Sequence, residues 1–338
     1  MATIRDIAQA AGVSPSTVTK ALSGAAGVSD AKRALISRLA RELGYRPNRA
    51  ASSLARTHLR IGVLIPSEWP VYHEPIRRGI LYALERLRDY LIESSVRYYR
   101  TDIPSPGRPE LEALLGQNPD GILFCPGGLT DYRPLLTLAH DRGIPLGVVG
   151  DRTPDAPGLF TLEADAARCA RTAAGFLSLC MPQGAHAAML AGTLAIASHG
   201  EKAAAFRNAF PGRQIAVVES HDRDEEAYAA VKSLLQSKNR PSGLYIASSV
   251  AEGALEAVRE HGDGLCVVAT DVSAPTRAGL LDGTVGAIVD QTPFTQGMRA
   301  VYYLERWLSE RQAPPKEILL TPRLYLAGNL PDSDEEVI

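Results

Sequence analysis

From residue 60 onward, short apolar runs return at intervals, each followed by a stretch with helical spacing. The first is Arg60-Ile61-Gly62-Val63-Leu64-Ile65-Pro66, and others fall at 96–101, 121–125 and 144–149. A second series occupies 187–191, 215–218, 243–247, 265–270 and 285–289. Apolar strands alternating with helices read as parallel sheets covered on both faces. Nine such runs fit two α/β lobes, each a doubly wound parallel sheet, better than a single sheet. Open sheets of this kind receive ligands beyond the C-terminal ends of their strands. Two facing lobes therefore place those ends around one cleft.

The segment before residue 60 follows a different pattern. Its Thr3-Ile4-Arg5-Asp6 start offers a hydroxyl and, three residues on, a carboxylate, the elements of a helix cap. Ile4, Ile7, Ala8 and Ala11 then share one helical face. Gly12 stops that helix, Val13 forms the corner, and Ser14-Pro15 opens a second helix. Val18 and Leu22 of this second helix point inward, leaving Ser16, Thr17, Thr19 and Lys20 outside. A third helix is expected from Ser29, with Leu35, Ile36, Leu39, Ala40 and Leu43 as its stripe and Gly44 as its stop. Residues 1–60 hold ten Lys and Arg against three Asp and Glu, so a chain of net charge −2 divides into a head of +7 and a remainder of −9. A small basic three-helix head with short hydrogen-bonding groups on an outward helix suits phosphates and base edges.

The run from Ile4-Arg5-Asp6-Ile7-Ala8 through Ala11-Gly12-Val13-Ser14-Pro15-Ser16-Thr17-Val18 to Ser23-Gly24, followed by Leu43-Gly44-Tyr45-Arg46-Pro47-Asn48-Arg49-Ala50-Ala51, closely resembles the start of LacI/GalR-family transcriptional regulators. The resemblance implies a helix-turn-helix domain over 1–46 and a hinge helix and linker over 47–59. It also implies DNA contacts from Thr3, Ser14, Ser16, Thr17, Thr19, Lys20, Asn48, Arg49, Ala51 and Leu54. Leu54 falls where the family carries a minor-groove wedge, and an apolar wedge can unstack a base step and kink the duplex. A helix of about eight residues is marginal alone in water, so the hinge is expected to form only against DNA and a twin from a second subunit. Many family members carry Arg where this chain has Lys20. Lysine lacks the bidentate fork that reads guanine, so base preference there is expected to differ.

The rest of the chain resembles the periplasmic-sugar-binding-like domain of the same family. This implies a two-lobed effector and dimerisation domain over 60–330. Lobe 1 is expected at about 60–157 and 291–321, lobe 2 at about 160–289 and 322–330, with three crossovers near 155–160, 290–292 and 320–323. Residues 331–338 form an acidic tail. Carried over position by position, the effector contacts fall on Asp151, Lys202 (where relatives carry Arg), Asp271 and Gln291. Trp69, Tyr72, His199 and the pair Ser248-Ser249 are further candidates. Carboxylates and an amide at strand ends can bind the hydroxyls of a sugar, polyol or derivative. A small polar effector, a protein co-regulator or no effector at all remain open alternatives at this point.

An enzyme is the remaining rival. No GxGxxG follows the first strand, neither GxSxG nor a P-loop occurs, and the seven His are scattered singly. No catalytic, metal or cofactor residue is assigned. The four cysteines lack metal spacing and read as reduced core residues. The N-terminus has no signal core, and no apolar run approaches membrane length. The expectation is a cytoplasmic, nucleoid-associated homodimeric repressor acting on a pseudo-palindromic double-stranded operator.

Overall fold

A computed structural model describes residues 3–22, 27–43, 58–68, 70–87, 92–213 and 215–332. Asn48, Arg49, Ala51 and Leu54 of the expected hinge, Trp69 and most of the acidic tail lie outside the described residues.

The head has three helices, α1 (Ile4–Ala11), α2 (Pro15–Leu22) and α3 (Asp30–Glu42). Thr3 and Asp6 form a reciprocal cap. Thr3 N–H donates to the Asp6 carboxylate at 2.7 Å, and Asp6 N–H donates to Thr3 Oγ1 at 3.4 Å. Donation to the Asp6 carboxylate from the Thr3 N–H, and from the Thr3 hydroxyl at 2.9 Å, holds that carboxyl below its ordinary pKa. Gly12 takes the left-handed φ of 63° that ends α1, where a side chain would be strained. Ser14 Oγ accepts from Thr17 N–H at 3.2 Å and opens α2. Ile7, Ala8, Val18, Ala21, Ile36 and Ala40 form the core, with Val13, Leu22 and Leu39 half-buried against it. Leu43, expected in that stripe, is 42% exposed because α3 ends one residue earlier.

The body contains two six-stranded sheets. In the first lobe, β1 (Leu59–Pro66), α4 (Pro70–Arg86), β2 (Ile92–Tyr99), α5 (Arg108–Leu115), β3 (Gly121–Phe124), α6 (Arg133–Asp141), β4 (Leu146–Gly150) and β5 (Phe160–Ala164) follow one another. The second lobe runs α7 (Ala166–Cys180), β6 (Ala187–Ala191), α8 (Ala197–Asn208), β7 (Ala216–Glu219), α9 (Asp224–Gln236), β8 (Gly243–Ile246), α10 (Glu252–His261), β9 (Cys266–Thr270), α11 (Ala274–Asp282) and β10 (Ala287–Asp290). The chain then returns as α12 (Pro293–Glu310) and β11 (Glu317–Leu320) to the first lobe, and ends its strands with β12 (Arg323–Tyr325) in the second. The first sheet is parallel in the order β11-β5-β4-β3-β1-β2. The second, β12-β10-β9-β8-β6-β7, is parallel except for β12, which runs antiparallel to β10.

Three of these strands were not expected from sequence. β5 carries Glu163 inside an apolar run, β11 alternates, and β12 has three residues. The second strand also begins earlier than expected, at Ile92 rather than residue 96. Because β5 pairs with β4 and β11, the first crossover comes after Ala164. The expected crossover near 155–160, and with it a second lobe starting at 160, is corrected accordingly.

Packing explains why α12 belongs to the first lobe. A Cβ on Gly79 of α4 would lie 2.0 Å from Phe294 O, and one on Gly297 of α12 would lie 2.0 Å from Ile76 O. The two helix backbones touch, and only glycine allows that approach. Val301 and Leu304 of α12 and Ile76 and Ile80 of α4 then complete the core over Ile61, Val63 and Ile65. All four cysteines are free. Cys125 and Cys169 are buried, but Cys180 is exposed and Cys266 half-buried, so the expectation of four core thiols holds for two. No described helix is long and apolar enough to cross a membrane.

Candidate functional site

In the head, Thr3, Ser14, Ser16, Thr19 and Lys20 are exposed and Thr17 is half-buried. Several of their hydroxyls already have partners. Thr3 serves the α1 cap, Thr19 Oγ1 donates to Pro15 O at 3.0 Å, and Ser14 Oγ lies 2.8 Å from both Ser16 Oγ and Thr17 Oγ1. Ser16 and Lys20 sit on the outer face of α2, four residues apart and so neighbours on one helical face. Arg33 of α3 donates to the carbonyls of Lys20 (3.3 Å) and Ala21 (2.8 Å). It caps the C-terminal end of α2 and ties α3 to it.

The second site is a cleft between the two sheets, where the C-terminal strand ends of both lobes converge. About 780 Å³ there is free of protein atoms, the solvent-filled mouth included. Seven of the candidate effector residues line it: Tyr72, Asp151, His199, Lys202, Ser248, Ser249 and Gln291. Asp271 does not. It lies behind the wall, 1% exposed, at a left-handed φ of 60° where β9 ends. Its Oδ1 accepts from Gln291 N–H at 2.8 Å, and its Oδ2 accepts from Gln291 Nε2 at 2.7 Å and Ser249 Oγ at 2.6 Å. Asp271 thus positions Gln291 and Ser249 and stands one layer behind the cleft surface.

Lys202 is 1% exposed. Its ammonium donates to Gln291 Oε1 at 2.7 Å and Ala247 O at 3.4 Å, so α8 is bonded to the crossover after β10. His199 Nδ1 accepts from Thr193 N–H at 2.9 Å, which leaves the ring proton on Nε2. Burial, with the Lys202 charge nearby, pushes His199 down to about 4, so the ring is neutral. Tyr72 hydroxyl reaches Gly150 O at 2.9 Å and Gln296 Oε1 at 3.2 Å, while Gln296 Nε2 donates to Gln291 O at 2.9 Å. One hydrogen-bonded chain therefore runs from the first lobe, across α12, to Gln291 and Asp271 of the second.

Two lining carboxyls, Glu163 and Asp222, went unread in the sequence, whereas Asp151 was read. Glu163 on β5 is 2% exposed, and burial raises its carboxyl to about 8 against the pull of Arg152. Asp151 is raised to about 6, again by burial, although Arg152 N–H donates to it at 3.0 Å. Asp222 follows β7 and accepts from Ser248 Oγ at 2.7 Å and Thr193 Oγ1 at 3.3 Å. Gly192 makes room for it, since a Cβ there would meet Asp222 Oδ1 and His199 Cε1, each at 2.2 Å. Arg152 links β5 to α8, with Nη1 3.0 Å from Glu201 Oε1 and Nε 2.9 Å from Glu163 Oε1. Only the order Gly192…Asp222, each just past a strand, could have pointed to this wall.

Residues 3–48 match the family described as bacterial regulatory proteins, lacI family, and residues 70–312 match the periplasmic binding protein domain. The HTH-type transcriptional regulator MalR of Streptococcus pneumoniae is 29% identical over 157 residues, 44% of this chain and 45% of that one. The chain thus spans less than half of that relative. The ribose operon repressor of Haemophilus influenzae is 27% identical over 273 residues, 78% of each chain. Among solved structures, the periplasmic ribose ABC transporter protein of Conexibacter woesei shares the body fold, with a TM-score of 0.73 at 20% identity over 84% of this chain and 95% of that one. With a matching head joined to a matching two-lobed body, the chain belongs to the LacI family of bacterial regulatory proteins.

Proposed function

We propose that this chain is a sequence-specific DNA-binding transcriptional regulator, a repressor, whose grip on its operator is set by a small polyhydroxylated effector in the interlobe cleft. The observation that carries the reading is the cleft itself. It is lined from both sheets and crossed by one hydrogen-bonded chain, so a ligand bridging its walls changes how the lobes sit. In this reading two chains act as a dimer. Each head presents Ser16, Thr17 and Lys20 to a major groove, and the half-sites lie about one helical turn apart. Hinge residues Asn48, Arg49 and Ala51 meet their twins between the half-sites, and Leu54 wedges the minor groove. The name of the ribose operon repressor above supports a sugar or polyol as effector.

The test is a genome-wide footprint of bound sites, followed by titration of the purified chain with a recovered site. Preference for a pseudo-palindrome over random competitor at physiological salt is the expected result. Log affinity should fall with log salt by about 0.9 for each phosphate contacted. No preference for any sequence refutes the reading.

A further inference from the structure

We propose that Cys180 and Cys266 form an oxidation site, where a hydroperoxide converts two thiols into one disulfide that fastens the end of α7 to the start of β9. Cys180 is the last residue of α7 and Cys266 the first of β9. Packing brings these ends together. In the sheet Cys266 pairs with Gly243 of β8. A Cβ on Gly243 would lie 2.2 Å from Met181 Sδ and 3.2 Å from Leu177 Cδ2, and one on Gly286, just before β10, would lie 3.1 Å from the Phe176 ring. Phe176, Leu177 and Met181 thus rest on the starts of β8 and β10, the two strands that flank β9. Cys180 follows Phe176 by four residues, on the same face of the helix. Its side chain is within hydrogen-bonding reach of the Cys266 thiol. The pair stands where β9 begins, at the opposite end of that strand from the cleft, so the inference does not depend on any effector.

Exposure divides the roles. Cys180 is exposed and Cys266 half-buried. Burial pushes the Cys266 thiol up to about 12, so it keeps its proton. The exposed thiol is the one an oxidant reaches first. Its sulfur forms an S–O bond as the O–O bond of the hydroperoxide breaks, and the second oxygen leaves with the thiol proton, as an alcohol or as water. The Cys266 sulfur then attacks the sulfenic sulfur of Cys180. The S–S bond forms, the S–O bond breaks, and hydroxide leaves with the Cys266 proton as water. The two sulfurs together lose two electrons, and the hydroperoxide gains them. Paired thiols can also hold a metal ion, but among the described residues no three His, Cys, Asp or Glu side chains are grouped to hold one.

The consequence reaches the seam between the lobes. Helix α7 starts where the chain first crosses from one sheet to the other. Asp165 N–H donates to Leu320 O at 2.9 Å, and Arg168 Nη1 donates to Thr321 Oγ1 at 3.2 Å. Both partners belong to the last crossover, between β11 and β12. The disulfide holds the far end of the same helix, so oxidation anchors α7 at both ends.

The experiment treats the reduced full chain with a small excess of hydrogen peroxide, then quenches, unfolds and alkylates it for mass analysis. The expected result is loss of two of the four thiols and a mass lower by two hydrogens. A linked peptide pair should carry Cys180 and Cys266, and dithiothreitol should restore both thiols. The buried Cys125 and Cys169 should remain open to alkylation after unfolding. In Cys180→Ser thiol loss should slow at least about tenfold. In Cys266→Ser oxidation should stop at a Cys180 sulfenic acid that dimedone traps. If either variant does not fold, the linked peptide from the unmodified chain still decides. A disulfide between two chains overturns the proposal, as does a trapped Cys180 sulfenic acid in the unmodified chain with Cys266 still free. Retention of all four thiols, or thiol loss that Cys180→Ser does not slow, overturns it equally. Amide hydrogen exchange along α7 should slow on oxidation, and unchanged exchange overturns the anchoring of that helix.

Discussion

Asp271 shows how a buried residue can shape the wall of a cleft it does not line. Its carboxylate holds the Gln291 backbone, the Gln291 amide and the Ser249 hydroxyl. Asp271→Ala leaves those buried donors without an acceptor, at about 1–3 kcal/mol for an orphaned group. A lower midpoint in chemical denaturation and at least a tenfold weaker effector affinity are expected together. Glu163 governs a second outcome. Between its ordinary 4.5 and about 8 the folded chain keeps a proton that the unfolded chain has released, so stability falls as pH rises. Asp151 acts in the same direction up to about 6. His199 opposes both from about 4 to 6.5, where only the unfolded ring holds its proton. Above 6.5 the slope belongs to Glu163 and to Asp290, which burial and Asp271 also push upward. Melting temperature should therefore drop between pH 6.5 and 8, by no more than ~1.4 kcal/mol of stability per pH unit from Glu163. Glu163→Gln should flatten that drop; an unchanged melting curve would show that Glu163 is ionised in the folded chain. At this scale the sequence was legible where resemblance supplied a position, as at Asp151, Lys202 and Gln291. Glu163 was not legible, because a charged residue inside a five-residue apolar strand breaks the pattern that marks the strand.

Among the elements, α4 and α12 make the tightest crossing, and two glycines permit it. Gly79→Ala would drive a methyl carbon into the Phe294 carbonyl, a backbone atom that cannot swing aside. A loss of about 1–3 kcal/mol is expected for such overpacking, read as a lower denaturation midpoint. Gly175 is the contrasting case. It is exposed within α7, with nothing within 4 Å of where its Cβ would lie. Gly175→Ala should raise stability by about 0.5–1 kcal/mol, since alanine is the better helix former. If both variants behaved alike, the close crossing would be wrong. Helices and long strands were legible because their periodicity spans many residues. β11 and β12 were not, because four and three residues carry too little pattern and take their place from the partner strands they join. The glycines of the crossing carry no sequence signal either; their need arises only once the two helices meet.

For the whole molecule, the proposed function couples the cleft to the heads, and coupling between binding equilibria is reciprocal. Whatever factor the effector imposes on operator affinity, operator DNA must impose the same factor on effector affinity. Calorimetry of the effector with and without saturating operator, set beside operator binding with and without effector, should return equal ratios; unequal ratios would mean that a further component takes part. The overall architecture was legible as two lobes, whereas the first seam between them was displaced by one strand. That displacement follows from β5, which pairs in the first sheet.

The closing strands carry a consequence for biosynthesis. β11 and β12 are separated by two residues, yet each forms the edge of a different sheet. Both sheets therefore wait for residues 317–325 to leave the ribosome, while the head is available from the first moments of translation. With synthesis at about 5–20 residues per second, a nascent chain carries its complete three-helix head for tens of seconds before either sheet of the body can close.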